Sequence, residues 1–523
     1  MIATNATNIN PLNLRLDTRW IVVGLFLLTI LTRLPFQSQY LYHWDSVNMA
    51  YGIVEFNVRE GAPQYPGYIV YIALAQVVNS VIGDHQTTML IISIVTSALA
   101  VVTMYFLGRD MFNATTGLIA ALYVLSSPLV WFYGEIALPH AMDLFSITLS
   151  VWLLYRIMQG DERWLWFTAV FLALVGGFRQ QDLLFLGPLI LFAIYRIGLK
   201  KIILFALVGF VTTLAWFIPM LVSSNGLEAY LAGSSDFTRR FWDTTSLLHG
   251  AGMPGLRRNL INKLIPYTAY AWSLAALPAL YWVPRVFREW RGGLTNRKFW
   301  FFVLWVVPTL AFYIIIHMGQ QGLVFVFLPA LLLLSAEGTY QLFRTRSAVL
   351  QIVTLAIVLF NAAVFILMPE YPFGADGPKL LTYNTLQVND QLLDRQINSV
   401  RENFDPADTL ILANNWRHME YYLPEYPLAR INIGSKWESD AGQVIGADFA
   451  GDPITGAALG FDPDAAWQVV VVDRELEALS TTPLQTLTTP EGYTLSYLAL
   501  DGNEAFLNTG VNFGVQRTTA DAG

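Results

Sequence analysis

The chain has 523 residues, 55% of them hydrophobic and only 13% charged, with a mean hydropathy of +0.47. A soluble globular protein of this length carries about 25% charged residues, so the composition excludes that class and indicates a polytopic membrane protein. Residues 1–368 hold 23 Lys+Arg and 16 Asp+Glu, net +7, and residues 369–523 hold 8 and 22, net −14, which sum to the overall −7. The acidic tail excludes a nucleic-acid binder, and the lack of cysteine removes disulfides, thiol nucleophiles and cysteine metal sites.

Apolar runs of 15–21 residues suit a hydrocarbon core of ~30 Å, which takes about 20 helical residues to cross. The first, Trp20–Leu34, has no small-residue cleavage site after it and reads as a retained span. Pro66–Ile82 opens with Pro-Gly and contains Gln76 and Asn79, as an interfacial or re-entrant helix does. The remaining runs are Thr87–Leu107, Thr116–Phe132, Ala141–Ile157, Trp164–Phe178, Leu183–Tyr195, Ile202–Val222, Pro266–Val283, Phe299–Ile316, Leu323–Ala336 and Ala348–Met368. With a cytoplasmic N-terminus and no crossing at Pro66–Ile82, 15 basic residues of the membrane-domain loops fall inside and 8 outside. A crossing there reverses the bias to roughly 9 inside and 14 outside. The positive-inside rule therefore predicts eleven spans, with the C-terminal region outside.

Residues 369–523 are expected to form a small soluble α/β domain behind the membrane domain of residues 1–368. A helical pattern (Leu392, Leu393, Ile397, Val400) precedes a strand at Thr409–Ala413, helical residues near Met419–Tyr422 and a buried-type strand at Gln468–Asp473. Strands alternating with helices imply a parallel or mixed sheet.

The predicted topology gathers polar clusters on one extracytoplasmic face: residues 36–65, residues 133–143, Arg179–Asp182 with the loop at 223–265, and His317–Gly322. Asp45, beside aromatics at the membrane surface, fits a helix N-cap. It also fits a general base, since a carboxylate at the acyl–water boundary can take a proton from an incoming hydroxyl. Glu135, His140 and Asp143 surround Pro139 at a helix start, where acids complement the helix dipole or serve a site. Arg179 in GGFRQQD is either an interface anchor paired to Asp182 or a phosphate clamp acting through bidentate charge-assisted bonds. His317, Gln320 and Gln321 form a polar turn between spans, Arg239 and Arg240 suit lipid headgroups, and Asp462-Pro-Asp464 reads as a surface turn.

The order of these features resembles the GT-C superfamily of polyprenyl-phosphate-dependent glycosyltransferases, in particular the protein O-mannosyltransferase and aminoarabinose transferase group. The resemblance rests on HWDSVNMAYGI, QYPGYIVYIAL, LGRDMF, SSPLVWFYGEIALPHAMD, GGFRQQD and GQQGLVFVFLPALLLL, across residues 20–340. It implies an all-α membrane domain with a C-terminal extracytoplasmic α/β domain, and inverting sugar transfer from a polyprenyl phosphate to an acceptor hydroxyl of unassigned kind (protein, lipid or polysaccharide). Asp45 matches the catalytic acid, Glu135 or Asp143 the second acid, and Arg179 the basic donor-phosphate residue; Gln321 and His317 are expected to bind the donor phosphate beside it. Tyr68, His140 and Arg240 are then expected to position substrate. Two departures bear on metal: the Asp-Glu pair of the family is here Asp45-Ser46, and a family histidine is replaced within Gln64-Tyr65-Pro66-Gly67-Tyr68. A divalent metal is therefore left uncommitted. A lipid-linked sugar flippase or secondary transporter places ionisable groups at mid-membrane on broken helices or repeated halves, and a non-catalytic scaffold keeps the fold without the chemistry. Acids at one face and unlike halves favour the enzyme.

Overall fold

The computed structural model describes residues 17–285, 288, 295–375, 377–430, 454–455, 468–478, 480, 482–490, 492–499, 504–508 and 512–516. Its contacts divide into two units, the first of residues 1–39 and 48–387, the second of residues 40–47 and 388–523. The division thus falls inside two helices, Trp44–Val54 between Val47 and Asn48 and Tyr383–Asn403 between Gln387 and Val388.

The first unit is a bundle of apolar helices. α1 (Thr18–Arg33) starts behind Asp17, whose carboxylate caps Arg19 N–H at 3.2 Å. α2 (Trp44–Val54) follows, then α3 (Ile69–Ile82), α4 (His85–Met111), α5 (Ala114–Ser126), α6 (Pro128–Gly134), α7 (His140–Met158), α8 (Leu165–Phe178), α9 (Gln180–Ile194), α10 (Leu199–Ser223) and α11 (Leu227–Thr245). Further helices run Arg297–Ile315, Leu328–Phe343 and Ser347–Leu367. Helices α1, α4, α7 and α10, with Arg297–Ile315 and Ser347–Leu367, are long and apolar enough to cross a membrane, which makes this a multi-pass membrane protein among the described residues. α4 and α7 are buried along most of their length, whereas α1 and α10 expose Leu27, Leu31, Leu207 and Phe210, as lipid-facing helices do. α4 and α5 approach closely because glycines meet: a Cβ on Gly108 would stand 2.7 Å from the Cα of Gly117.

Three apolar runs are less regular than their hydropathy suggests. The run Thr116–Phe132 is broken between α5 and α6 by a 62° bend. Pro128 lacks an N–H and pushes Ser127 to ψ 123°, so the chain restarts as a new helix at the proline. Pro266–Val283 is helical only over Ile265–Trp272, then turns at Ser273 (φ 50°) into short 3₁₀ and α segments. Leu323–Ala336 begins as a 3₁₀ turn, Gln321–Val326, and becomes α-helical from Leu328. α3, α8 and α9, of 14, 14 and 15 residues, each span ~21–23 Å at 1.5 Å per residue, short of the core thickness.

The second unit contains a five-stranded sheet in the order β2-β1-β4-β6-β5, where β1 is Thr409–Ala413, β2 Leu428–Arg430, β4 Gln468–Val471, β5 Gln485–Thr488 and β6 Thr494–Ala499. β1 runs parallel to β2 and β4, and β6 antiparallel to both its neighbours, so the sheet is mixed. β1 is buried throughout, as a central parallel strand should be. Leu393, Ile397 and Val400 of the helix Tyr383–Asn403 pack on Ile411, Ala413 and Val470. A smaller sheet pairs β3 (Ile454–Thr455), β8 (Asn512–Gln516) and β7 (Glu504–Asn508) in that order.

Candidate active site

Asp143 stands in the first turn of α7 because Pro139 sets the helix entry and its carbonyl accepts the Asp143 N–H at 3.0 Å. Its Oδ2 accepts from Arg179 Nη1 at 2.7 Å and lies 3.3 Å from His140 Nδ1. Arg179 occupies the extended residue (φ −155°, ψ 109°) that ends α8 and starts α9, so two helices fix its backbone. Asp182, in the first turn of α9, is buried beside this pair and interacts electrostatically with both Asp143 and Arg179. Neither oxygen of Asp182, nor Oδ1 of Asp143, has a hydrogen-bond partner among the described residues. One guanidinium therefore faces two carboxylates.

The loop after Arg297–Ile315 joins this cluster from the other side. Gln320 Oε1 lies 2.8 Å from His140 Nε2, and Gly322 N–H donates to Tyr133 Oη at 3.0 Å. Only glycine fits at 322, because a Cβ there would meet the His140 ring at 2.5 Å. Gln321, the neighbouring amide, reaches toward the Lys379 carbonyl at 3.5 Å instead. A π-helical turn, Arg258–Leu264, buttresses the same loop: Arg258 Nη1 donates to Met318 O at 3.2 Å and Lys263 Nζ to Gly319 O at 3.2 Å. His317 Nδ1 sits 3.0 Å from Thr245 Oγ1 of α11. Burial, then the charges of Arg258, Lys263 and Arg179, pull the His317 imidazole down to about 3, so it is neutral at ordinary pH. Burial and the neighbouring Arg258 likewise bring Lys263 down to about 8.

Tyr68 precedes α3 in the left-handed region (φ 46°), after Gly67 at φ 107°, and interacts electrostatically with Arg179. The turn is tied to the arginine's neighbour through Tyr230 of α11, which donates to Pro66 O at 3.1 Å and accepts from Gln180 Nε2 at 2.9 Å. Among the residues proposed from sequence, Asp143, Arg179, His140 and Tyr68 are thus brought together, with His317 adjacent. Arg258, Lys263 and Gln320 complete the group. The first two read in sequence as ordinary basic residues at a span edge, although their density just ahead of the Pro266 run is a usable signal.

Glu135 lies elsewhere. It is fully buried opposite Arg33 at 4.0 Å, and Arg33 also donates to Leu125 O at 2.8 Å and covers the Trp131 ring at 4.5 Å. In the second unit, α2 starts at Trp44, so Asp45 stands in the first turn rather than at the cap. Its N–H donates to His43 Nδ1 at 3.0 Å, and its quarter-exposed carboxylate lies 3.6 Å from the same nitrogen. The side chain of Arg240 and the Asp462-Pro-Asp464 turn lie outside the described residues. No three His, Cys, Asp or Glu side chains gather at metal-ligand spacing among the described residues, and Ser46 stands beside Asp45.

The first unit is thus a helical membrane bundle with a buried acid–arginine cluster at a proline-led helix start, and the second holds a small mixed sheet. Comparison with known proteins agrees. Residues 66–222 match the sequence model of the family described as dolichyl-phosphate-mannose-protein mannosyltransferase. The fold is similar to that of ArnT from Cupriavidus metallidurans bound to undecaprenyl phosphate, at TM-score 0.55 and 13% identity, covering 92% of this chain and 98% of that one. The apo state of the same protein gives 0.52 at the same identity and coverage. The apo oligosaccharyltransferase from Archaeoglobus fulgidus gives 0.50 at 12% identity, covering 92% of this chain and 74% of its own. No curated protein matches the chain by sequence. Residues 66–222 thus resemble the mannosyltransferase family in sequence, and the chain shares the ArnT fold.

Proposed function

We propose that this protein is a membrane glycosyltransferase that moves a sugar, with inversion, from a polyprenyl-phosphate donor to an acceptor hydroxyl on the extracytoplasmic face. The observation that carries the reading is the cluster within the matched segment, Arg179 bonded to Asp143 and His140, beside a loop that Arg258 and Lys263 hold. Arg179 is matched by Asp143 and Asp182, and Arg258 and Lys263, which with it bear on the neutral His317 imidazole, add positive charge suited to a phosphate diester. ArnT, which shares the fold, is bound to undecaprenyl phosphate, and this supports the donor class. The excess of basic residues in the predicted inside loops supports eleven spans, a cytoplasmic N-terminus and an outward-facing C-terminal domain.

In this reading Asp45 takes the proton of the acceptor hydroxyl as its oxygen attacks the anomeric carbon. The bond from that carbon to the phosphate oxygen breaks, and polyprenyl phosphate leaves with the bonding pair. Arg179, Arg258 and Lys263 stabilise the charge that grows on the leaving phosphate, each preorganised donor contributing a few kcal/mol. Asp143 is the second acid. It holds Arg179 in one rotamer, and Gln320 does the same for His140. His317, being neutral, offers a hydrogen bond and no charge. Purified protein incubated with a panel of polyprenyl-phosphate sugars, with release of polyprenyl phosphate followed over time, is the direct test. Release from at least one donor is expected, and inertness toward the whole panel overturns the reading.

A further inference from the structure

The segment that carries Asp45 is held by the C-terminal sheet domain, in a set of contacts that lies wholly within the second unit. Tyr40 N–H donates to Asp390 Oδ1 at 3.3 Å, and its hydroxyl donates to Asp394 Oδ1 at 2.7 Å, both on the helix Tyr383–Asn403. Leu41 is gripped at both backbone groups: its N–H donates to Tyr422 Oη at 2.8 Å, and its carbonyl lies 2.8 Å from His418 Nε2. Trp44 packs edge-on against Trp416 at 4.7 Å, and Tyr40 against Tyr422 at 5.2 Å. Tyr422, His418 and Trp416 all belong to the short helix Trp416–Tyr422, whose start is fixed by Asp473: its Oδ2 accepts the Asn414 and Asn415 N–H groups at 2.6 and 3.0 Å.

His418 is 3% exposed, and its Nδ1 lies 2.7 Å from the Asn415 carboxamide. Burial pulls its pKa down to about 4 despite the bond to Leu41 O, with His43 adding to the depression. The Leu41 carbonyl can only accept, so Nε2 carries a proton and donates to it, while Nδ1 lies against Asn415 Oδ1. Four residues on, the same strap of chain presents Asp45.

We propose that the helix Trp416–Tyr422 is a clasp for the Asp45 segment and that His418 is a positioning residue for turnover, acting through the Leu41 carbonyl. The inference rests on Asp45 being the base of the proposed reaction, and it gives the C-terminal domain a mechanical part in that reaction. A base must be held within about half an ångström of its working position, so slack in the strap lowers kcat while donor affinity, set by other residues, is kept.

The test uses the full-length purified protein. His418→Leu removes the Nε2–H donor, His418→Gln replaces it with an amide N–H of similar reach, and Tyr422→Phe removes only the hydroxyl that accepts from Leu41. Hydrogen exchange of the peptide covering residues 40–47 should rise in His418→Leu and Tyr422→Phe and return toward wild type in His418→Gln. Turnover should follow the same order, falling on the order of tenfold in His418→Leu with KM unchanged. Unaltered exchange in both His418→Leu and Tyr422→Phe overturns the clasp. Raised exchange with wild-type kcat overturns the positioning role. The exchange measurement does not depend on activity, so a fully active Asp45→Asn enzyme removes the base assignment while leaving the clasp to be judged on its own data.

Discussion

Arg33 and Glu135 meet at 4.0 Å with both side chains sealed from solvent, whereas Arg179 and Asp143 meet at 2.7 Å with Arg179 still 11% exposed. Both are arginine–carboxylate pairs buried in the membrane unit, and both acids follow the same Ser-Pro helix break. Their surroundings differ. Arg33 is held by Glu135, the Leu125 carbonyl and the Trp131 face, although its Nε makes no hydrogen bond among the described residues, and a Cβ at Gly134 would press on that Nε at 3.1 Å. Arg179 instead shares its field with Asp143, Asp182, His140 and Tyr68, drawn from different helices, and a cation-rich loop lies alongside. A buried pair of one-to-one charge closes on itself and ties elements together. A cluster with more groups than one pairing consumes can exchange partners, and that is what binding a charged ligand requires.

The comparison breaks most directly at Arg33. Arg33→Leu leaves Glu135 buried without a counter-charge and should destabilise the protein by ~3–5 kcal/mol, read as a large fall in thermal midpoint. Adding Glu135→Leu should restore most of that loss and much of the activity. A double variant that folds well but has lost all turnover would make Glu135, not Asp143, the second acid. The next largest effect is expected at the other pair. Asp143→Asn and Arg179→Ala should lower kcat/KM by roughly 10²–10³ while the midpoint moves far less than in Arg33→Leu.

The division between these pairs was only half legible in the sequence. The apolar runs gave the order of the helices, and β1 and the helix around Met419 lie where alternation and apolar content put them. Asp143 and Arg179 stood out because charge is rare in such runs. What hydropathy cannot register is direction and partnership: Glu135 and Asp143 are eight residues apart on one loop-helix junction, and nothing local says that Arg33 claims one of them and Arg179 the other. The break at Ser127-Pro128 was masked by the apolar residues on both sides, and Arg258 and Lys263 looked like edge charges because a π-helical turn leaves no periodic mark. The dependence of the Asp45 segment on Tyr422 and His418 spans some 380 residues of sequence, beyond any motif.

Smaller effects sharpen the same contrast. Lys263→Gln should weaken donor binding about tenfold, the size of one partly screened charge contact, without altering stability appreciably. pH offers a milder version of that change. With Lys263 at about 8, its ammonium is present below that value and lost as pH rises through it. Donor affinity should therefore decline on going from pH 7 to pH 9 in the wild type and lose that dependence in Lys263→Gln. Glu135 pairs with Arg33 and not with that lysine, so Glu135 variants should keep the wild-type pH dependence.

The most direct test of the central claim is a paired measurement on purified Asp45→Asn: binding of a polyprenyl-phosphate sugar and its turnover. The account predicts donor affinity within about twofold of wild type and a rate reduced by on the order of 10³ or more, since the amide cannot accept the proton of the incoming hydroxyl. Turnover near the wild-type rate would contradict it.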